Sequence, residues 1–257
     1  GLLGGALGWH GPFLVYLVGI PVAAAAIWML PAPAAGGRPG GSDAAKPSMR
    51  EVLRSLPVLP WLYAFVFIVQ LQLYSIIVFV PQRLAEIGVT RPFLVAIAIA
   101  LVNLMAGLVG LNYGRIRGVL GFRQLFLIGS SVPVLAFAVL SVAAQPWLVL
   151  VGTALFGLAL PLVLASAPAL LGRQDIPPQV RGRATSYQSS MMLLGQFSSP
   201  LLLGLLVAPF GVRAAFVAAT VVGLVEALAV ALAFRPHESE SLAPPAPAGQ
   251  RSEESKS

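Results

Sequence analysis

Uncharged apolar runs, separated by short polar breaks, repeat along nearly the whole chain. The longest, Gln124 to Gly172, holds forty-nine consecutive residues without an acidic, basic or His side chain. An apolar helix needs about 20 residues to cross the hydrocarbon core of a bilayer. This run therefore has room for two, with Ala143-Ala144-Gln145-Pro146 as the turn between them. Inside lipid every backbone polar group must be satisfied within its own segment, so both arms are read as helices. The same pattern predicts seven spans: Pro12–Leu30, then about Val58–Val80, Phe93–Asn112, Gln124–Ala144, Pro146–Leu170, Tyr187–Ala208 and Val212–Phe234.

Two stretches break the pattern. Residues 31–56 collect Pro31, Pro33, Gly36, Gly37, Pro39, Gly40, Gly41 and Ser42, the chemistry of a flexible linker, and Ser48–Leu56 alternates basic and apolar residues as a short interfacial helix does. From Arg235 the chain is rich in Ser, Glu, Pro and Ala and is expected to be disordered. The predicted organisation is an extracytoplasmic stub and one helix over 1–30, a cytoplasmic linker over 31–56, a six-helix transmembrane bundle over 57–234 and a tail over 235–257. The fold class is all-α, polytopic and membrane-embedded.

Composition agrees. Hydrophobic residues make up 58% of the chain and charged residues 10%, against about 25% charged in soluble domains. A net charge of +7 raises nucleic acid as a partner, but the basic residues stand singly between apolar runs and form no patch interleaved with aromatics. Nucleic-acid binding is therefore set aside, and the lipid bilayer is the expected partner. The absence of cysteine excludes disulfides, a thiol nucleophile and Cys-ligated metal, and the isolated His10 and His237 give no metal-ligand spacing, so neither metal nor cofactor is expected. No Ser-His-Asp set, His-Glu-x-x-His helix or phosphate-cradling glycine loop is read, and the chain is not expected to be an enzyme. The first apolar run has no initiator Met and no basic region ahead of it, so it is not read as a signal peptide, and the chain is expected to begin partway through a larger protein.

The basic residues also orient the spans. With seven spans, thirteen of sixteen Lys and Arg fall on one side: Arg38, Lys46, Arg50, Arg54, Arg115, Arg117, Arg123, Arg173, Arg181, Arg183, Arg235, Arg251 and Lys256. Arg83, Arg91 and Arg213 fall on the other. The positive-inside bias places the linker and the C-terminus in the cytoplasm, in a multi-pass protein of the inner or plasma membrane.

One helix, a long cytoplasmic linker, six helices and a cytoplasmic tail are what a twelve-helix transporter leaves when cut just before its sixth span, and local sequences carry that resemblance. Gly8-Trp9-His10-Gly11-Pro12-Phe13 resembles the GWR-x-PF approach to helix six of the major facilitator superfamily, above all its drug-exporter branches. Asn112 to Gly118 with Gly121-Phe122-Arg123 is similar to the second-half copy of the family's glycine and arginine loop between helices two and three. Pro178 to Ala184, then Leu194-Gly195-Gln196 and Ser199-Pro200, resembles the stretch leading into helix eleven. Gly211-Val212-Arg213 with Phe216 resembles the approach to helix twelve. His10 stands where Arg is usual, and Asn112 where an acid often stands. The resemblance implies two six-helix bundles that rock about a central cavity, of which this chain supplies the last helix of the first bundle and all of the second. The missing N-terminal helices are then an implied partner, and without them no transport is expected.

On that footing the polar residues inside spans become candidates. Tyr63, Phe67, Gln70 and Tyr74 recur at i, i+4, i+7 and i+11 and share one helical face. They suit an amphipathic cation or neutral drug, or else Gln70 hydrogen-bonds a neighbouring helix and the rings simply pack. Gln72 lies on another face and is assigned to interhelical hydrogen bonding. Asn103 divides between cavity and packing, while Gly107 and Gly110 below it read as close-packing positions. Gln188, Met192, Gly195 and Ser199 form one stripe, and Gln188 and Met192 are its pocket candidates.

Glu226 is the one acid inside a span and is a proton-coupling candidate by default. The resemblance puts its helix on the outer side of the bundle, which favours a protonated or hydrogen-bonded packing role. Arg115 and Arg117 are candidates for a gating loop, and otherwise are topology determinants and anionic-lipid contacts. Pro161 and Pro168 interrupt a span that Gly152 and Gly157 loosen. The leading reading is a secondary transporter, exporting small amphipathic organic compounds against proton entry by alternating access. The alternative is a truncated, non-transporting membrane domain or half-transporter that needs a separate N-terminal half.

Overall fold

A computed structural model describes residues 19–29, 50, 53, 58–172 and 178–233. In chain order the helices are α1 (Gly19–Met29), α2 (Leu59–Glu86), α3 (Pro92–Leu111), α4 (Tyr113–Val119), α5 (Phe122–Val142), α6 (Pro146–Leu164), α7 (Ser166–Leu171), α8 (Pro178–Phe210) and α9 (Val212–Ala233). No strand occurs among the described residues. Of the first expected span only α1 is described, and it belongs to a unit separate from the other helices. The expected stub, the tail and most of the linker lie outside the described residues, and of the interfacial segment only Arg50 and Leu53 lie within them.

Among the described residues six helical stretches are long and apolar enough to cross a membrane: Leu59–Glu86, Pro92–Val119, Phe122–Val142, Pro146–Leu171, Val180–Phe210 and Val212–Leu232. They correspond one to one with the last six expected spans, and the chain is an all-α polytopic membrane protein. Proline stands in the first turn of α2, α3 and α6, where a missing N–H costs nothing. Two glycines with positive φ make tight reversals. Gly88 (φ 82°) ends α2, with the Val89 N–H donating to Leu84 O at 2.8 Å and the Gly88 N–H to Ala85 O at 3.0 Å, and Gly211 (φ 77°) alone joins α8 to α9.

Three boundaries differ from expectation. α2 runs on past Val80 to Glu86, because Pro81 removes only one ladder hydrogen bond from a helix whose far turns are held by other contacts. α8 begins at Pro178 instead of Tyr187. Its 33 residues span roughly 50 Å, more than the ~30 Å hydrocarbon core, so the reading by membrane thickness omitted turns that stand outside it. The second arm of the expected hairpin, 146–170, breaks at Ala165 into α6 and α7: the Ala165 N–H still reaches Pro161 O at 2.9 Å, but Pro168 has no N–H to offer Leu164 O.

One end of the bundle is tied by charged side chains. Arg83 at the end of α2 donates to Ala143 O (2.7 Å), in the turn after α5, and to Glu86 Oε2 (2.8 Å). Glu86 Oε1 accepts the Val212 N–H at the start of α9 (3.3 Å), and Arg213 Nε donates to Ser141 O (2.9 Å). Cations on the last carbonyls of α5 and a carboxylate on the first N–H of α9 both match the helix dipoles. These bonds bring the end of α2, the end of α5 and the start of α9 to the same end, as alternating spans require. Between the ends, Phe137, Phe156 and Phe216 form a buried aromatic centre, with Phe137 5.6 Å from Phe156 and 6.3 Å from Phe216 between ring centroids.

The glycines correct two expectations. Gly107 and Gly110 face open space with nothing within 4 Å of an added Cβ, so they are not the close-packing positions of α3. That role falls to Gly157 of α6, where an added Cβ would lie 2.5 Å from Val102 O and 2.9 Å from Met105 Cβ of α3. Gly152 likewise meets Leu140 of α5 at 2.6 Å, so both glycines tighten α6 against its neighbours instead of loosening it. α3 is exposed where Gly107 and Gly110 sit because it packs chiefly through one side, on α6.

Candidate functional site

α2 and α8 run side by side from the same end of the bundle, and their contact is polar along much of its length. Near the start the Tyr63 hydroxyl donates to Ala184 O (3.0 Å). Further in, Gln196 Nε2 donates to Gln70 Oε1 (3.4 Å). Gly195 lets the helices approach this closely: an added Cβ would stand 3.0 Å from Gln70 Cβ, 3.1 Å from the Phe67 carbonyl carbon and closer still to its oxygen. Gln188 and Ser199 are buried on the same stripe of α8, and Gln188 Oε1 and Ser199 Oγ have no hydrogen-bond partner. Phe67, Tyr74 and Met192 are half-buried along the seam.

The structure thus brings Tyr63, Phe67, Gln70, Tyr74, Gln188 and Met192 to one seam. It also adds Gln196, absent from the sequence-derived set. The signal for it was its place beside Gly195, because a close approach at one residue delivers the next side chain to the opposing helix. Unpartnered amide and hydroxyl oxygens inside an apolar bundle are costly unless something satisfies them. A seam that holds them beside half-buried aromatic rings and a thioether can accept a hydrogen bond and an apolar body together.

Asn103 lies elsewhere. It is exposed on α3, and its Nδ2 donates to Ile99 O of its own helix (3.2 Å). The outward side of α8 is also polar: Thr185, Ser186, Ser189 and Ser190 are all exposed, each hydroxyl bonded to the carbonyl four residues back at 3.0–3.2 Å. Glu226 is buried on α9, at 1% exposure, with neither carboxyl oxygen partnered. Gln72 is buried on α2 with its amide unpartnered, on the α9 side of that helix and away from the α8 seam.

At the other end, Arg115 is exposed and 3.5 Å from Asn112 Oδ1. Arg117 donates to Leu120 O (3.1 Å) and lies 4.0 Å over the Phe122 ring. The Tyr113 hydroxyl meets Ser166 Oγ at 2.8 Å, which fastens α4 to the break before α7.

Comparison with known proteins agrees with this architecture. The sequence profile of the Major Facilitator Superfamily matches residues 66–256. In fold the chain is similar to the crystal structure of a mutant of the peptide transporter POT in complex with alafosfalin, with a TM-score of 0.62 at 15% identity. That alignment covers 77% of this chain and 43% of the transporter, so the chain spans less than half of its length. No curated protein matches the sequence.

Proposed function

The chain belongs to the major facilitator superfamily, a family of membrane transporters, and from that premise we propose that it forms the substrate-binding wall of a secondary active transporter that exports small amphipathic organic compounds. The observation that carries this reading is the α2–α8 seam, where the unpartnered Gln188 Oε1 and the Gln70–Gln196 bond lie beside half-buried Phe67, Tyr74 and Met192. A ligand with one polar group and an apolar body finds a hydrogen-bond partner and a ring surface there, and needs no full counter-charge.

Transport by alternating access needs a second bundle to move against. The outward hydroxyls of Thr185, Ser186, Ser189 and Ser190 and the exposed Asn103 support such a partner, because polar side chains in spans face protein or a water-filled cavity in preference to lipid. Proton entry is the proposed driving reaction, with Glu226 as its candidate carrier. The Arg115–Arg117 segment, tied through Tyr113 to the break before α7, is the proposed gating loop on the cytoplasmic side. The host is proposed to be the inner or plasma membrane.

The test is accumulation of a fluorescent amphipathic cation in cells producing the protein together with the proposed second bundle, with and without an imposed proton gradient. Wild type should lower accumulation when the gradient is present. Gln188→Ala and Gln70→Ala should each raise it several-fold at unchanged protein level. Equal accumulation in cells with and without the protein refutes export, and unchanged export in both variants removes the seam from the binding site.

A further inference from the structure

α9 runs antiparallel to α2, as the Val212–Glu86 bond fixes at one end, and midway along that contact each helix presents one buried polar side chain. Gln72 is 0% exposed and Glu226 1%. All four of their side-chain polar atoms, Gln72 Oε1 and Nε2 and Glu226 Oε1 and Oε2, are without a hydrogen-bond partner. Gly223, one turn before Glu226, leaves the space that the amide occupies: an added Cβ would stand 3.1 Å from Gln72 Nε2 and 3.1 Å from Val134 Cγ2 of α5. Cα–Cβ bonds tilt toward helix N-termini. In an antiparallel pair Gln72 therefore leans toward the level of Glu226, and Glu226 leans back toward the level of Gln72.

We propose that Gln72 and Glu226 form a buried acid–amide pair, a proton site joining α2 to α9. In it the carboxyl O–H donates to Gln72 Oε1 and the Gln72 Nε2–H donates to the carboxyl's other oxygen. The four orphaned atoms are the four that such a ring of two hydrogen bonds uses. The ring closes only with the proton in place, because a carboxylate has no hydrogen to give and would turn an oxygen toward Gln72 Oε1. Loss of the proton therefore opens the α2–α9 contact, and Gln72 is the positioning residue that makes proton occupancy a matter of helix packing. Among the described residues no other charged side chain lies at that depth. Arg83 and Glu86 on α2, Arg123 on α5, Arg181 and Arg183 on α8 and Arg213 on α9 all stand within two turns of a helix end, the last about 20 Å along the axis from Glu226. Of the tyrosines, Tyr63 is bonded to Ala184 O, Tyr187 is on α8 within reach of Arg183, and Tyr74 is half-buried two residues from Gln72.

The pair deepens the assignment of Glu226 as proton carrier, yet its test does not depend on flux. Infrared spectra of the whole chain in lipid nanodiscs should show a protonated-carboxyl band at neutral pH that is absent in Glu226→Gln. In Gln72→Met that band should move to higher frequency, as a carbonyl does on losing hydrogen bonds. Glu226→Gln keeps a two-bond amide–amide ring and should melt with wild type, whereas Glu226→Met and Gln72→Met should both melt lower and the double variant no lower than the worse single. A band unmoved by Gln72→Met, or two methionine losses that add, overturns the pair. Should a methionine variant fail to fold, the Glu226→Gln spectrum and melting still decide, since a large loss of stability there is equally fatal. A shifted band with no flux refutes the transport reading alone, and intact flux with an unmoved band refutes the pair alone.

Discussion

One methyl group tests the α2–α8 seam. Gly195→Ala places a carbon 3.0 Å from Gln70 Cβ and 3.1 Å from the Phe67 carbonyl carbon, with the Phe67 oxygen nearer still. Carbon atoms in contact prefer about 3.5–4.0 Å, so the helices must part by roughly 0.5–1 Å. The opposing atoms are mostly backbone and cannot swing aside. Such overpacking costs about 1–3 kcal/mol. The same movement carries the Gln196–Gln70 contact, already 3.4 Å, past hydrogen-bonding reach, for a further ~0.6 kcal/mol, the mean for such bonds in membranes.

Against this stands the gain in helix propensity, about 1 kcal/mol for Gly to Ala. Gly204→Ala carries the same gain on the same helix with nothing within 4 Å of the new methyl. The difference between the two variants therefore isolates the seam, at about 1.5–3.5 kcal/mol, or roughly 3–14 °C at 2–4 °C per kcal/mol. Thermal unfolding of both in one detergent measures it. If Gly195→Ala melts within a degree or two of Gly204→Ala, the close approach of α2 and α8 is refuted and the seam built on it falls.

The same contrast applies to α3 and α6, where Gly157→Ala should be less stable than Gly107→Ala, whose new methyl stands in open space, by about 1–3 kcal/mol; denaturation midpoints decide. Arg83→Ala strips a charged donor from Ala143 O and Glu86 at the tied end of the bundle and should cost about 2–3 kcal/mol, with Arg83→Lys regaining part of it in the same assay. Because the chain has no cysteine, single cysteines report orientation cleanly: a membrane-impermeant maleimide should label Ala144→Cys from outside intact cells and Gly118→Cys only after permeabilisation. The reverse pattern inverts the topology.

The six spans were legible because a long uncharged run has almost one physical option in lipid, and length alone separates it from a buried soluble helix. Their ends were less so. Pro178 to Ser186 carries Arg181 and Arg183, which mark the limit of the membrane and not the limit of the helix. Pairwise roles were the least legible. Gly107 and Gly157 look alike in sequence, and only the packing of α3 on α6 decides which of them a neighbour's backbone touches. Gln70 and Gln72 show both sides of this limit. Two residues turn a helix by about 200°, so their divergence was readable, but not that one would meet Gln196 and the other lie against Gly223. That divergence makes α2 a wall common to the seam and to the buried acid. A helix is stiff over two residues, so a ligand that parts α2 from α8 acts on the helix that also holds Gln72, and any coupling between ligand and proton must be equal in both directions. α2 can therefore carry that coupling without a relay of charges between the two places, which fits a bundle whose described charged residues other than Glu226 stand near its ends.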